Sequence, residues 1–186
     1  LLPGPLSPTS SGAVLFGSAD LRTMDDEQLR SYRGRRIAMV FQDPMTSLDP
    51  VQRIGRQITE PLRLHLGLNR GEARAQAILL LRQVGVPDPE RRLRSYPHEL
   101  SGGLRQRVAI AIALSCDPDL LIADEPTSAL DVTVQAQLLD LLDDLRRERR
   151  LAVLLITHDL GVVASRADSV AVMYGGRIVE QGPTGQ

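Results

Sequence analysis

Two adjacent carboxylates, Asp124 and Glu125, follow the apolar run Leu120-Leu121-Ile122-Ala123. Such a run reads as a buried strand, and acids released at its C-terminal end stand where α/β proteins place their ligands. A pair of this kind can divide labour. One acid can hold Mg²⁺, directly or through water, while the other polarises an attacking water. A strand ending in a solvated acidic turn is the other reading of the same residues. A second pattern, Leu100-Ser101-Gly102-Gly103-Leu104-Arg105-Gln106-Arg107, opens a helix. Ser101 is a good N-cap, and two glycines let an anion approach backbone N–H groups closely. Taken alone, this stretch is a generic turn before a helix.

The elements that must position these groups are legible from periodicity. Residues 1–12, rich in Pro, Ser and Gly, read as a loop, and 13–16 as a short strand. A helix is predicted over 24–33, with Asp25, Asp26 and Glu27 at the end where the helix dipole favours acids. Residues 37–41 read as a buried strand and 42–50 as a turn-rich stretch. Two helices fill 51–84, the second with Ala73, Ala77, Leu80, Leu81 and Val84 at helical spacing until Pro87 and Pro89 break the pattern. A helix over 104–115, the strand 120–123 and an amphipathic helix over 134–149 follow. A second buried strand, 151–156, ends at Thr157-His158, and 160–167 form a short helix. Strands 169–174 and 177–180 are joined by Gly175-Gly176. Strands alternating with helices predict a mainly parallel α/β sheet covered by helices. The nearly all-helical middle, 51–116, divides this core into 1–50 and 117–186.

Composition narrows the class. A chain of 186 residues with 42% hydrophobic and 24% charged residues is one ordinary globular domain, without internal repeats. Its net charge of −1 does not point to nucleic acid. The arginines Arg146, Arg147, Arg149 and Arg150 read as a solvated helix end suited to the dipole, not a nucleic-acid patch. The single cysteine, Cys116, sits in an apolar run and is expected as a small buried hydrophobe. His65 and His98 read as helix-surface and turn residues. No apolar run approaches the roughly 18–20 residues of a membrane helix. All 22 basic residues are arginine, and the sequence contains no lysine.

The order of the motifs gives them meaning together. Gln42 after a strand, then the Ser-Gly-Gly helix, then Asp124-Glu125, then Ser128-Ala129-Leu130-Asp131, then His158 at a strand end resembles the nucleotide-binding domain of ABC ATPases over nearly the whole chain. In that resemblance Gln42 matches the Q-loop and Leu100 to Gly103 the signature motif. Asp124 and Glu125 match the Walker B pair, Ser128 to Asp131 the D-loop, and His158 the switch histidine. Three stretches resemble the peptide and nickel importer subfamily. They are Phe41-Gln42-Asp43-Pro44-Met45-Thr46-Ser47-Leu48-Asp49-Pro50, Tyr96-Pro97-His98-Glu99-Leu100-Ser101-Gly102-Gly103 and Ile156-Thr157-His158-Asp159-Leu160-Gly161-Val162-Val163. Leu104, where many members carry glutamine, is a mark of that branch.

The resemblance implies a P-loop NTPase-like fold with a helical subdomain, and ATP and Mg²⁺ as nucleotide and metal. It assigns Glu125 as the general base for water, Asp124 to Mg²⁺ through water, and His158 to the γ-phosphate. Gln42 would contact Mg²⁺ and the attacking water and relay to a membrane subunit. Ser101, Gly102 and Gly103 would close on the ATP of a second ATPase domain, and Asp131 would couple the two sites across a homo- or heterodimer. The implied assembly lies on the cytoplasmic face of the membrane with permease subunits and, indirectly, a solute-binding protein, without nucleic acid. The implied function is ATP-driven import of dipeptides, oligopeptides or nickel. A non-transport ABC ATPase and a non-catalytic remnant are the alternatives.

One family feature does not occur in the sequence. No G-x-x-x-x-G-K-[ST] loop is present, and no lysine exists to complete one. In the family this loop precedes the position of Leu1, so a truncation ahead of Leu1 is expected. The strand leading into that loop would lie between 151–156 and 169–174. These two strands are therefore expected about 9–10 Å apart, twice the ~4.8 Å interstrand spacing, without a shared ladder.

Overall fold

The computed structural model describes residues 11–43, 47–128 and 130–184. Most of the loop read over 1–12, the Pro44-Met45-Thr46 part of the turn-rich stretch and Ala129 of the motif 128–131 lie outside the described residues.

A small antiparallel pair, β1 (Leu15–Phe16) and β2 (Ala19–Asp20), opens the described chain. Helix α1 (Asp26–Tyr32) follows, its N-terminus closed by a reciprocal Asp25–Gln28 capping box. Strands β3 (Ile37–Val40), β4 (Leu120–Asp124) and β5 (Ala152–Ile156) form one parallel sheet with β4 in the middle. Between β3 and β4 the described chain is helical. It runs through α2 (Ile54–Leu66), α3 (Arg70–Gln83), the short α4 (Pro89–Arg92), a 3₁₀ turn (Pro97–Glu99) and α5 (Gly102–Ala113). Helix α6 (Val132–Arg149) links β4 to β5, and α7 (Leu160–Arg166) leads to the hairpin of β6 (Ser169–Tyr174) and β7 (Arg177–Pro183). The hairpin turns at Gly175 and Gly176, both at positive φ, as a two-residue turn between twisted strands requires. Among the described residues no helix is long and apolar enough to cross a membrane.

Periodicity accounts for the packing. Ile54, Ile58 and Leu62 recur every four residues on α2 and are fully buried, as are Ala73, Ala77, Leu80 and Leu81 of α3. They share one core with Ala38 and Val40 of β3, Leu121 of β4 and Leu138, Leu142 and Leu145 of α6. Cys116 is buried as expected, and burial pushes its thiol pKa up.

Close approach fixes one glycine. The Gly55 N–H donates to the Leu93 carbonyl at 2.9 Å, and a Cβ at Gly55 would lie 2.7 Å from that same oxygen. Gly55→Ala is therefore expected to destabilise the fold by about 1–3 kcal/mol, although alanine gains about 1 kcal/mol of helix propensity. At about 2–4 °C per kcal/mol for a chain of this size, thermal unfolding should show a drop of several degrees. An unchanged or raised midpoint would mean that the α2–Leu93 contact yields freely.

The β3–β4–β5 sheet is parallel, as expected, and the two other strand pairs among the described residues are antiparallel. The burial of the parallel sheet departs from expectation. One face of the parallel sheet, carrying Ala38, Leu121 and Ala123, lies in the core. The opposite face shows the register row Met39–Ile122–Leu154, with Met39 at 39% and Leu154 at 52% exposure. The strand read as buried over 151–156 is thus largely exposed, because among the described residues it ends the sheet and one sheet face is covered. Similarly, Phe41 at the end of the stretch read as a buried strand is exposed. As expected, β5 and β6 share no ladder; they belong to separate sheets.

Candidate functional site

Parallel strands place their C-terminal ends together. Gln42 stands just beyond β3, Asp124 ends β4 with Glu125 next, and His158 stands two residues beyond β5. The three elements bring three of these side chains into contact. Gln42 Nε2 donates to Glu125 Oε2 at 3.0 Å, and His158 Nδ1 lies 3.1 Å from Glu125 Oε1. Each oxygen of the Glu125 carboxylate therefore has one partner.

The Glu125 backbone is held as firmly as its side chain. Its N–H donates to the Ile156 carbonyl of β5 at 2.9 Å. Its carbonyl accepts from the Ser128 hydroxyl at 3.1 Å and the Ser128 N–H at 3.2 Å. Glu125 has φ +42°, in the left-handed region that non-glycine residues seldom adopt. Over-determination of this kind lets surrounding contacts hold a residue in an uncommon conformation, and it aims the carboxylate at Gln42 and His158. Sequence reading placed Ser128 in a motif but did not find its grip on Glu125.

Asp124 is partly buried at the end of β4. Among the described residues its carboxylate accepts no hydrogen bond, unlike that of Glu125 beside it. The described residues hold no group of three or more His, Cys, Asp or Glu side chains that could chelate a metal by themselves. Mg²⁺ does not need one, because it keeps several waters and takes one or two carboxylates plus substrate phosphates. An Asp124 carboxylate with free acceptor capacity at the same end of the sheet as Gln42 fits that mode.

The other predicted residues form a second group. Ser101 caps α5, its Oγ accepting from the Leu104 N–H at 3.4 Å, and makes no hydrogen bond to Glu125. Asp131 caps α6 by accepting from the Thr133 and Val134 N–H groups at 3.1 and 3.0 Å. The two caps belong to one packed unit. A Cβ on Gly103 would meet Val134 Cγ1 at 2.9 Å, and one on Gly102 would lie 3.9 Å from Leu130 Cδ2. Gly103 therefore has a packing reason to be glycine within its own chain, besides any anion it admits. Arg105 ties the preceding segment to this unit, its Nε donating to the Pro97 carbonyl at 2.8 Å. His98 stacks on Tyr96, with ring centroids 5.6 Å apart.

The opposite end of the sheet carries different chemistry. Arg36, at the start of β3, pairs with Asp119, before β4, at 2.8 Å and lies over the rings of Phe16 and Tyr32. An open cavity of about 600 Å³ there is lined by Tyr32, Arg35, Arg36, Cys116 and Asp119 among others. It lies at the N-terminal ends of the strands, away from Glu125.

Comparison with known proteins gives a consistent picture. The ABC transporter family model matches residues 1–128. A probable peptide ABC transporter ATP-binding protein of Sinorhizobium fredii is 56% identical over 97% of this chain and 54% of its own length. The oligopeptide transport ATP-binding protein of Bacillus subtilis is 52% identical over 98% of this chain and 51% of its own length. The chain thus spans about half the length of these curated relatives. A dimeric, post-hydrolysis structure of the ATP-binding cassette MJ0796, bound to ADP and Pi, superposes with a TM-score of 0.83 at 28% identity. That match covers 94% of this chain and 74% of the cassette.

Proposed function

Because this chain belongs to the ABC transporter family, we propose that it forms part of the ATP-hydrolysing subunit of an importer whose solutes are dipeptides or oligopeptides. The observation that carries the reading is the convergence of Gln42 and His158 on the two oxygens of Glu125 at the ends of three parallel strands. The peptide-transport names of the relatives favour peptides over nickel.

In this reading ATP lies with its γ-phosphate at the Glu125 end. A water displaces one partner of Glu125, hydrogen-bonds to the freed oxygen and attacks the γ-phosphorus. The bond from that phosphorus to the β–γ bridging oxygen breaks, ADP leaves, and the water's proton passes to Glu125. His158, released towards the nucleotide, donates to a γ-phosphate oxygen. Gln42 orients the water. Asp124, with Gln42, would hold Mg²⁺, which supplies charge neutralisation on the phosphates when bound. Catalysis then rests on positioning and electrostatics, to which the braced Glu125 backbone contributes.

Residues 51–116 act as the helical subdomain that presents Ser101, Gly102 and Gly103 to the nucleotide of a second cassette, with Asp131 between the two sites. The cassette MJ0796 is dimeric in its solved structure. Permease subunits, with a solute-binding protein outside, hold the pair at the cytoplasmic face of the membrane.

No lysine occurs in the chain, whereas the family's phosphate loop carries one. Functional tests therefore join a family phosphate-loop segment to the chain ahead of Leu1. This joined cassette, co-expressed with the permease subunits of its own locus in a host without peptide importers, is expected to restore uptake of a radiolabelled tripeptide. Uptake of ⁶³Ni²⁺ in place of the tripeptide would move the solute assignment to nickel. Absence of both, with the cassette present and folded, contradicts the import reading.

A further inference from the structure

Helix α7 begins two residues after His158, yet none of its residues is buried. Its N-terminus is closed by Asp159, which accepts from the Gly161 and Val162 N–H groups at 2.9 and 3.2 Å. That cap sets the local turn but does not attach the helix to the rest of the protein. The His158 ring is 78% exposed, so packing does not fix it either. Apart from its 3.1 Å contact with Glu125 Oε1, its position depends on the end of β5 and on whatever holds α7.

The far end of α7 supplies the attachment. Arg166, its last residue, donates from Nη1 to Asp143 Oδ2 at 2.6 Å and from Nη2 to Asp140 Oδ1 at 2.7 Å. Asp140 and Asp143 lie three residues apart, on one face of α6. The Arg166 and Asp143 side chains are only 23% and 22% exposed, so water screens this pair less than an ordinary surface pair. Arg146, one step further along the same face, donates to Asp168 at 2.8 Å. The α6 row Asp140, Asp143, Arg146 thus meets Arg166 and Asp168 with complementary charges. A guanidinium suits this role because its planar fork holds two carboxylates in fixed directions. A helix of seven residues is about 10 Å long, so the clamp acts on His158 through a short, stiff lever.

We propose that Arg166 is a positioning residue for His158: by clamping the end of α7 to Asp140 and Asp143, it fixes where the histidine stands beside Glu125. Because α6 starts at the Asp131 cap, any displacement of α6 also reaches His158 through this clamp. The inference rests on the reading of His158 as the group that contacts the γ-phosphate.

The test uses the 186-residue chain without nucleotide, so it does not depend on ATP turnover. In Arg166→Gln, amide hydrogen exchange over 159–167 should speed up by about tenfold or more, while α5 and the core of α6 keep their protection. The ¹⁵N signals of the His158 ring should move towards those of a free side chain. In a Glu125→Ala background Arg166→Gln should leave them nearly unchanged, which a general loss of stability would not reproduce. The pair Asp140→Asn with Asp143→Asn should reproduce the effect, and adding Arg166→Gln to it should add little. Arg166→Lys, which keeps the charge but loses the fork, should give a smaller change. If Arg166→Gln does not fold, Asp143→Asn serves in its place, with a partial shift expected. Unchanged His158 signals and α7 protection in the folded variant overturn the proposal, and so does a uniform loss of protection across the whole chain. Failure of the ATPase reading would instead appear as normal turnover in Glu125→Gln cassettes, with the clamp intact.

Discussion

Replacing Glu125 by glutamine in the joined cassette is expected to lower ATP turnover by about a hundredfold or more, with ATP affinity changed by less than about threefold. The substitution is nearly isosteric and keeps one acceptor oxygen, but removes the group proposed to take the proton of the attacking water. Binding is spared because the phosphates are gripped elsewhere. The fold is spared as well, because the backbone contacts of Glu125 to Ile156 and Ser128 do not involve the changed atoms. One local rearrangement is expected. A glutamine at this position offers one oxygen where Glu125 offers two, so Gln42 and His158 compete for it. Steady-state turnover with equilibrium nucleotide binding separates the outcomes. Turnover within about tenfold of wild type would mean that another group handles the proton. Lost ATP binding would mean that Glu125 holds the nucleotide instead of acting on the water.

Mixing two inactive variants should restore activity. Ser101→Arg and Glu125→Gln cassettes are each expected to be inactive. In a two-fold dimer whose sites draw Glu125 from one chain and Ser101 from the other, a mixed pair contains one intact site. Random pairing makes about half the dimers mixed, each with one working site of two, so about a quarter of wild-type turnover should return. The geometry motivates this test. Ser101 makes no hydrogen bond to Glu125 in its own chain and packs as part of a unit with the start of α6. If Ser101 served the site of its own chain, each mixed dimer would contain two broken sites and mixing would restore nothing.

Much of this arrangement is legible along the chain. The strand ends at Gln42, Asp124 and His158, the Ser101 cap and the helical stretch after β3 follow from apolar periodicity and capping chemistry, which are local signals. What the sequence hides is non-local. Gln42 and Glu125 touch across 83 residues, and Arg166 reaches α6 across 23 and 26. An arginine near a helix end reads as an ordinary dipole-matched cation until the partner helix is known. Gly103 reads as an anion-approach glycine, but Val134 shows that packing also demands it. The run 151–156 is apolar enough for a strand buried on both faces. Its exposure follows from its place at the sheet edge and from the helices covering one face among the described residues. Nor does local composition foretell the left-handed backbone of Glu125, because glutamate has no special preference for that region.

The most direct measurement is a structure of the Glu125→Gln joined cassette with ATP and Mg²⁺. The γ-phosphate is predicted at the C-terminal ends of β3, β4 and β5, within hydrogen-bond reach of His158, with the metal on the side of Asp124 and Gln42. A nucleotide seated at the other end of the sheet, with its phosphates on Arg35 and Arg36 in the cavity beside Tyr32 and Asp119, would contradict it.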